Sequence, residues 1–170
     1  MSKRLIQQSR RLLILDPMGE HGGTVFYDFD SLADYFETER EQFQCVLRPI
    51  EDYDADYFFR IARTIGNCTL LVDEAEIFIN PQSMPDSFRW LIQFGRHREV
   101  NIIAVARRAP ELNIYLRAQQ TSIITFAQTE PRDIEHLEDY GFDRNELEQL
   151  EGHEYIVHGN EPDAIAQNLP

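Results

Sequence analysis

Short apolar runs alternate along this chain with amphipathic stretches and with turn-rich segments. Apolar runs bounded by turn residues are typical of buried strands, and apolar residues that recur at helical spacing are typical of helices. Strands are predicted at residues 11–15, 24–27, 43–48, 69–72, 101–106, 122–126 and 154–158. Helices are predicted at residues 32–42, 54–65, 85–96, between Pro131 and Gly141, and at 145–150.

Strands that alternate with helices predict an α/β fold, in which a mostly parallel sheet is flanked by helices in three layers. Residues 69–72 carry no charge and are followed by Asp73, which is the pattern of a central parallel strand buried on both faces. The strand at residues 154–158 is expected at the edge of the sheet. At 170 residues, the chain is expected to form a single domain.

The formal net charge of −14 argues against a surface that coats polyanions through bulk electrostatics. Five arginines nevertheless crowd the middle of the chain: Arg89, Arg96, Arg98, Arg107 and Arg108. They form either a local anion-binding patch or surface ion pairs with the acidic excess. The only two cysteines suit a reducing cytoplasm, and no apolar run approaches the ~20 residues of a membrane span, so a soluble cytoplasmic protein is expected.

Acids that directly follow apolar strands are candidates for chemistry, because ligands gather at the carboxyl ends of parallel strands. Asp73 and Glu74 follow residues 69–72, and Asp16 follows residues 12–15. An aspartate at such a tip can hold a water bound to Mg²⁺, and the next glutamate can polarise an attacking water. A solvated acidic turn is the alternative interpretation of Asp73 and Glu74.

Four motifs follow one another along the chain. Residues 16–20 read Asp-Pro-Met-Gly-Glu, residues 70–75 read Leu-Leu-Val-Asp-Glu-Ala, and residues 94–97 read Phe-Gly-Arg-His, followed by the apolar strand and arginine-containing tail at residues 101–112. This order resembles HerA/FtsK-type P-loop ATPases and their phage packaging and Zot-like relatives, in which the second, third and fourth motifs resemble the Walker B segment, the Gly-Arg-His element and the sensor strand. The resemblance runs from about residue 3 to residue 158, and the joint order is more specific than any single motif.

The resemblance implies a ring-forming ATPase that translocates or packages DNA, uses ATP and Mg²⁺, and is encoded by a phage or mobile element. It implies that Asp73 orders magnesium and that Glu74 activates water. Arg96 would be an arginine finger that reaches the nucleotide of a neighbouring subunit. Asp16 and Arg107 would lie beside the nucleotide, although Arg107 and Arg108 stand where relatives commonly have a glutamine.

A phosphate-binding loop of the form Gly-x-x-x-x-Gly-Lys-Ser/Thr does not occur in these residues, and Lys3 is the only lysine. The glycine-rich residues 19–23 lack the lysine and the hydroxyl, which predicts a simple turn. Residues 2–8 resemble the end of the helix that follows a P-loop, so the missing strand and loop would directly precede residue 1. We therefore expect either a truncated ATPase or a natural relative without nucleotide turnover, and negligible hydrolysis by these residues alone.

Two other classes of function remain open. The same fold could serve as a non-catalytic pseudo-ATPase module that binds a partner protein through its arginine-rich edge. Less favoured is a Mg²⁺-dependent phosphotransfer or nuclease site in which Asp16, Asp73, Glu74 and Glu76 hold the metal. Trp90 and Phe94 lie four residues apart in a predicted helix, where they either pack in the core or offer a base-stacking surface.

Overall fold

Five strands form one parallel sheet in the computed structural model, which describes residues 10–39, 41–49 and 54–159. They are β1 (Arg11–Leu15), β2 (Thr24–Phe26), β3 (Phe43–Leu47), β4 (Cys68–Val72) and β5 (Val100–Ala104). Their order across the sheet is β2-β3-β1-β4-β5, and every pairing is parallel. The predicted α/β class with a mostly parallel sheet is confirmed.

Three helices cover one face of this sheet: α1 (Phe29–Thr38), α2 (Asp54–Ile65) and α3 (Asp86–Phe94). Alternate strand residues and the apolar sides of the helices form the main core on that face. Phe58 and Phe59 of α2 and Phe88 of α3 are the largest fully buried side chains. On the opposite face, Leu12, Ile14, Val46 and Leu71 form a second buried cluster. The strands β1 and β4 are therefore buried on both faces, as their continuous apolar sequence predicts.

The first helix begins three residues before its predicted start at residue 32. Asp28 is its N-cap, and the Asp28 side chain accepts a hydrogen bond from the backbone N–H of Ser31. Ser31, which directly precedes the predicted start, lies in the first turn, where its hydroxyl also donates to Asp28. The error arose because two polar residues near this start can each cap a helix.

The segment after α3 also differs from the predicted single helix at residues 85–96. The α-helix ends at Phe94, and a 3₁₀ helix continues from Gly95 to Arg98. Glu99 then adopts a left-handed conformation with φ of 55°, and β5 begins at the next residue. This tight connection places the whole segment at the amino ends of the strands.

The C-terminal part of the described chain forms a small unit of its own. The helix α4 (Ile114–Gln119) precedes it and packs against the main core through Leu116. The unit itself contains β6 (Ser122–Phe126), α5 (Pro131–Glu138), α6 (Arg144–Gln149) and β7 (Tyr155–Gly159). The last strand was expected to form the edge of the main sheet, but β6 and β7 pair with each other in a separate antiparallel sheet. The reason is local packing, because four residues of this unit form their own core: Ile134, Leu137, Phe142 and Leu147.

Both cysteines lie in the main core as free thiols. Burial raises the pKa of Cys45 to about 12 and that of Cys68 to about 11. Neither thiol is therefore ionised at neutral pH. Among the described residues, no helix has the length and apolar character that crossing a membrane would require.

Candidate functional site

The carboxyl ends of the central strands lie side by side at one edge of the sheet. β1 and β4 pair with Leu15 opposite Val72, so Asp16 and Asp73 each come directly after a paired residue. The backbone N–H of Asp73 donates to the carbonyl of Leu15 at 3.0 Å. The two acids therefore occupy adjacent strand tips.

The side chain of Asp16 is completely buried and organises the loop that follows it. Its Oδ1 accepts hydrogen bonds from the backbone N–H groups of Gly19 and Glu20, both at 2.9 Å. Its Oδ2 accepts from the backbone N–H of His21 at 3.1 Å and from Nε of Arg48 at 3.3 Å. Gly19 has a φ of 78°, which glycine adopts without steric cost and which lets the chain turn around the carboxylate.

The hydrogen bonds to Asp16 keep its carboxylate ionised. Burial alone would raise its pKa, but the backbone N–H groups of Glu20 and His21 and the Arg48 guanidinium outweigh that effect and hold the pKa below its ordinary value. Each carboxylate oxygen already accepts two hydrogen bonds, so no lone pair of Asp16 is left for a metal ion. Arg48 would also repel a cation at this position.

His21 connects this loop to the next strand tip, and it was not among the site residues predicted from the sequence. Its imidazole is buried, and its Nε2 lies 2.8 Å from Oδ2 of Asp73. The two residues are 52 positions apart, so no local spacing pattern relates them. The one available signal was the position of His21 in a loop that directly follows a strand tip.

Asp73 has capacity left for a magnesium-bound water. Its Oδ1 accepts the backbone N–H of Glu74 at 3.1 Å, and its Oδ2 contacts His21, which leaves a free lone pair on each oxygen. Ligand atoms of Asp16, His21 and Asp73 lie within 4.8 Å of one another. Because Asp16 is saturated, these residues cannot act together as a three-ligand metal cage. Asp73 alone fits the way in which Mg²⁺ is held by few carboxylates and several waters.

Glu74 stands on a strained turn at the tip of β4. Its φ of 46° and ψ of 49° are left-handed, a conformation that costs a non-glycine residue about 1–2 kcal/mol. The next residue, Ala75, donates its backbone N–H to the carbonyl of Val105 at 2.8 Å, which ties the turn to the extension of β5. Strain of this kind, fixed by neighbouring structure, occurs often at functional sites.

Arg107 lies against two glutamates at the same edge. Its Nε is 2.8 Å from Oε2 of Glu74 and 3.3 Å from Oε1 of Glu76. Burial and the nearby charge of Glu76 raise the pKa of Glu74, and Arg107 offsets part of this effect. Three of the predicted site residues, Asp73, Glu74 and Arg107, thus meet in one place.

Arg96 lies elsewhere. It belongs to the 3₁₀ helix Gly95–Arg98, whose backbone bonds the start of β4: the N–H of Asn67 donates to the carbonyl of Arg98 at 2.7 Å. This is the amino end of the strands, opposite Asp73 and Glu74. Arg96 is exposed there, so within one chain it does not belong to the strand-tip site.

Arg108, the neighbour of Arg107, has a structural partner. Its guanidinium makes a bidentate ion pair with the buried carboxylate of Asp133 in α5, with Nε 2.9 Å from Oδ2 and Nη2 3.0 Å from Oδ1. Such paired hydrogen bonds are strong and fix orientation. The two adjacent arginines therefore hold different parts of the molecule.

The arrangement of strands and helices is similar to that of solved viral packaging enzymes. The genome packaging NTPase B204 from Sulfolobus turreted icosahedral virus 2, in complex with sulfate, superposes with a TM-score of 0.74 at 15% identity, covering 91% of this chain and 78% of that one. Its complex with ATP-gammaS gives 0.71 at 14% identity, with 91% and 79% covered. The chain has the P-loop NTPase-like fold of these proteins.

The DNA-packaging ATPase B204 from Sulfolobus turreted icosahedral virus gives a TM-score of 0.67 at 17% identity, covering 94% of this chain and 80% of that one. The sequence matches no protein-family model and no curated protein. At such low identity the likeness concerns the fold, and at that level it confirms the resemblance to HerA/FtsK-type ATPases.

Proposed function

We propose that this chain is the nucleotide-dependent motor domain of a DNA translocation or packaging ATPase. The observation that carries the proposal is the joint position of Asp73 and Glu74 at the tip of β4, an interior strand of a fold shared with packaging NTPases. Metal-bound water beside an aspartate, followed by a glutamate that can polarise water, is the arrangement that hydrolysis of a nucleotide requires.

Each residue at the edge has a role in this proposal. Asp73 would hold Mg²⁺ through the water bound to the metal, and Glu74 would accept a proton from the attacking water. The metal, when bound, neutralises charge on the phosphates. Asp16 supports the site indirectly, by holding the loop that places His21 against Asp73. Arg107, which is exposed at the same edge, is the cation proposed to contact the terminal phosphate.

Arg96 acts between subunits in this proposal. Because it is exposed at the opposite edge of the sheet from Glu74, it contributes to catalysis only in a head-to-tail assembly, in which it faces the nucleotide of a neighbouring copy. Such heterologous contacts form closed rings when their rotation closes. A ring around DNA is the corresponding assembly.

An open strand position supports a P-loop supplied from outside these residues. β5 and β6 are joined by a helical connection, which normally links strands of one sheet, yet they lie in separate sheets. Ile102 of β5 packs against the main core and Ile103 against the opposite cluster, as in an interior strand. Among the described strands, β5 pairs only with β4. One more parallel strand, carrying the phosphate-binding loop, would fit beside β5.

The proposal is tested by measuring MgATP hydrolysis by residues 1–170 and by a version that is extended upstream. A version extended upstream to include a Gly-x-x-x-x-Gly-Lys-Ser/Thr loop should hydrolyse MgATP, and its Glu74→Gln variant should lose about 10²–10⁴-fold in rate, as for a removed general base. Residues 1–170 alone should show negligible turnover. Glu138→Gln on α5 is the matched control. An unchanged rate in Glu74→Gln, or robust turnover by residues 1–170, would contradict the assigned chemistry.

A non-catalytic assembly module is the second candidate. It is favoured by one observation, the missing phosphate-binding loop. Calorimetry that shows no MgATP binding, together with a stable complex with a partner protein, would support it. The carboxylate-cluster nuclease has less support, since Asp16 has no free lone pair, and failure of the chain to bind Mg²⁺ or Mn²⁺ without nucleotide would count against it.

A further inference from the structure

Arg107 bridges two carboxylates that would otherwise repel each other. Its Nε approaches Glu74 and Glu76 at 2.8 and 3.3 Å, and its backbone N–H also points to Oε1 of Glu76 at 3.4 Å. The Oε2 atoms of Glu74 and Glu76 are both buried and accept no hydrogen bond from a described residue. Arg107 therefore holds Glu74 as an ion pair and Glu76 as a hydrogen-bonded ion pair, and both glutamates depend on this guanidinium for charge compensation.

Burial distinguishes this bridge from an ordinary surface ion pair. The side chain of Glu76 is only 9% exposed and that of Glu74 21%, whereas the arginine is 69% exposed. Water screens partly buried carboxylates poorly, so their attraction to Arg107 exceeds that of a solvated pair. Arg144, which contacts Glu138 and Glu148, forms a similar bridge in which all three side chains are exposed.

A backbone hydrogen bond supports the turn that carries Glu74. The hydrogen bond from Ala75 to Val105 holds the turn of Glu74 against the extension of β5, which leads directly to Arg107. The guanidinium is the exposed partner and has five N–H donors. An incoming oxyanion can therefore reach it without displacing the strand tips.

We propose that Arg107 is a positioning residue that holds Glu74 beside Glu76, and that a phosphate oxyanion arriving at this edge competes for the guanidinium and releases the Glu74 carboxylate. The identity of the anion as a nucleotide phosphate rests on the proposed function, whereas the hold on Glu74 does not. Phosphate and guanidinium form strong paired hydrogen bonds, which is why the exchange is favourable. Without a bound anion, the Glu74 carboxylate therefore stays paired with Arg107 and is not available as a base.

Carbodiimide labelling of carboxylates, measured by peptide mass spectrometry on the 170-residue chain, tests the hold directly. Arg107→Gln should raise the labelling rate of Glu74 about fivefold, the change expected for a lost ion pair. Arg107→Lys should restore slow labelling, because it keeps the charge. The matched control, Arg144→Gln, should raise labelling at Glu138 and leave Glu74 unchanged. Equal labelling of Glu74 in the parent chain and in Arg107→Gln would overturn the proposal.

A second variant distinguishes the hold from a loss of folding. In Glu76→Gln the guanidinium has Glu74 as its remaining charged partner, so labelling of Glu74 should fall below that of the parent chain. Unfolding would change the rate in the opposite direction. Labelling that rises in Glu76→Gln would therefore count against Arg107 as the residue that holds Glu74.

The exchange step is tested with inorganic pyrophosphate and with MgATP. Pyrophosphate should raise labelling of Glu74 in the parent chain and have no further effect in Arg107→Gln. Calorimetric binding of pyrophosphate without any change at Glu74 would overturn the release. If Arg107→Gln exposes Glu74 while the P-loop-extended protein binds no MgATP, the hold stands and the proposed nucleotide function fails.

Discussion

The tips of β1 and β4 are neighbours in the sheet and both end in aspartate, yet the two sites differ in how well their charges are satisfied. At β1, Asp16 is fully buried and receives two donors on each carboxylate oxygen. At β4, Asp73 keeps free lone pairs, and Glu74 sits on a left-handed turn beside a second carboxylate. The carboxylate at the tip of β1 stabilises the fold, whereas the carboxylates at the tip of β4 retain hydrogen-bonding capacity for a ligand.

This contrast separates two kinds of buried carboxylate that look alike in a sequence. A saturated carboxylate has its pKa lowered and contributes to folding, as Asp16 does. A carboxylate with its pKa raised by burial and by a like charge, as in Glu74, is held in an unfavourable state. Perturbation in that direction is typical of functional sites.

The largest effect should come from Asp16→Ala. Removing the carboxylate leaves Arg48 and three backbone N–H groups without their acceptor, which should destabilise the fold by about 3–5 kcal/mol. Denaturant unfolding measures the change. The N-cap variant Asp28→Ala should cost much less, because its carboxylate is exposed to water. Equal losses in the two variants would abolish the distinction between the saturated tip and an ordinary cap.

Lowering the pH should remove the contribution of ionised Asp16 to the stability of the parent chain. Because the pKa of folded Asp16 lies below its ordinary value of 3.8, its stabilisation is present above that value and is lost as pH falls through the folded pKa. The difference in unfolding free energy between the parent chain and Asp16→Asn should therefore shrink below pH ~4. A constant difference between pH 6 and pH 2 would contradict this assignment.

His21→Ala should produce an intermediate effect, because it removes the link between the two tips. Loss of a hydrogen bond to a charged group costs about 1.5–3 kcal/mol. His21→Gln can still donate a hydrogen bond to Asp73 and should recover part of the loss, as thermal unfolding would show. If glutamine behaves like alanine, the imidazole contributes by packing rather than through Asp73.

Glu74→Gln should have the smallest effect and the opposite sign. Since burial and the charge of Glu76 raise the pKa of folded Glu74, its charge destabilises the fold above that pKa, and a neutral amide should modestly raise stability at pH 7. The gain should vanish at pH values below the ordinary value of 4.5, where the carboxyl is protonated in both states. A loss of stability at pH 7 would show that the ion pair with Arg107 stabilises the fold by more than the partly buried charge of Glu74 destabilises it.

Local sequence patterns predicted most of the main sheet for a clear physical reason. Residues 12–15 and 70–72 are apolar on both faces, which is the requirement of interior parallel strands, and the acids that follow them lie at adjacent tips. The separate β6–β7 sheet was missed because the pattern of a strand does not specify its partner. The α1 start was missed because Asp28 and Ser31 are both competent caps.

Contacts between site residues that are far apart in the sequence could not be predicted from local patterns. His21 meets Asp73 across 52 residues, and Arg107 meets Glu76 across 31, so neither pair forms a spacing pattern. The motif order grouped Arg96 with the catalytic residues, but chain order does not say at which end of a strand a residue lies. The connection from α3 to β5 returns it to the far edge.

The adjacent residues Arg107 and Arg108 face different partners, the glutamates of the strand tip and Asp133 of α5. One peptide unit thus joins the β4 tip to the small unit that carries β6 and β7. The tip of β4 and the C-terminal unit are therefore both anchored, through neighbouring guanidinium groups, to the segment that directly follows β5.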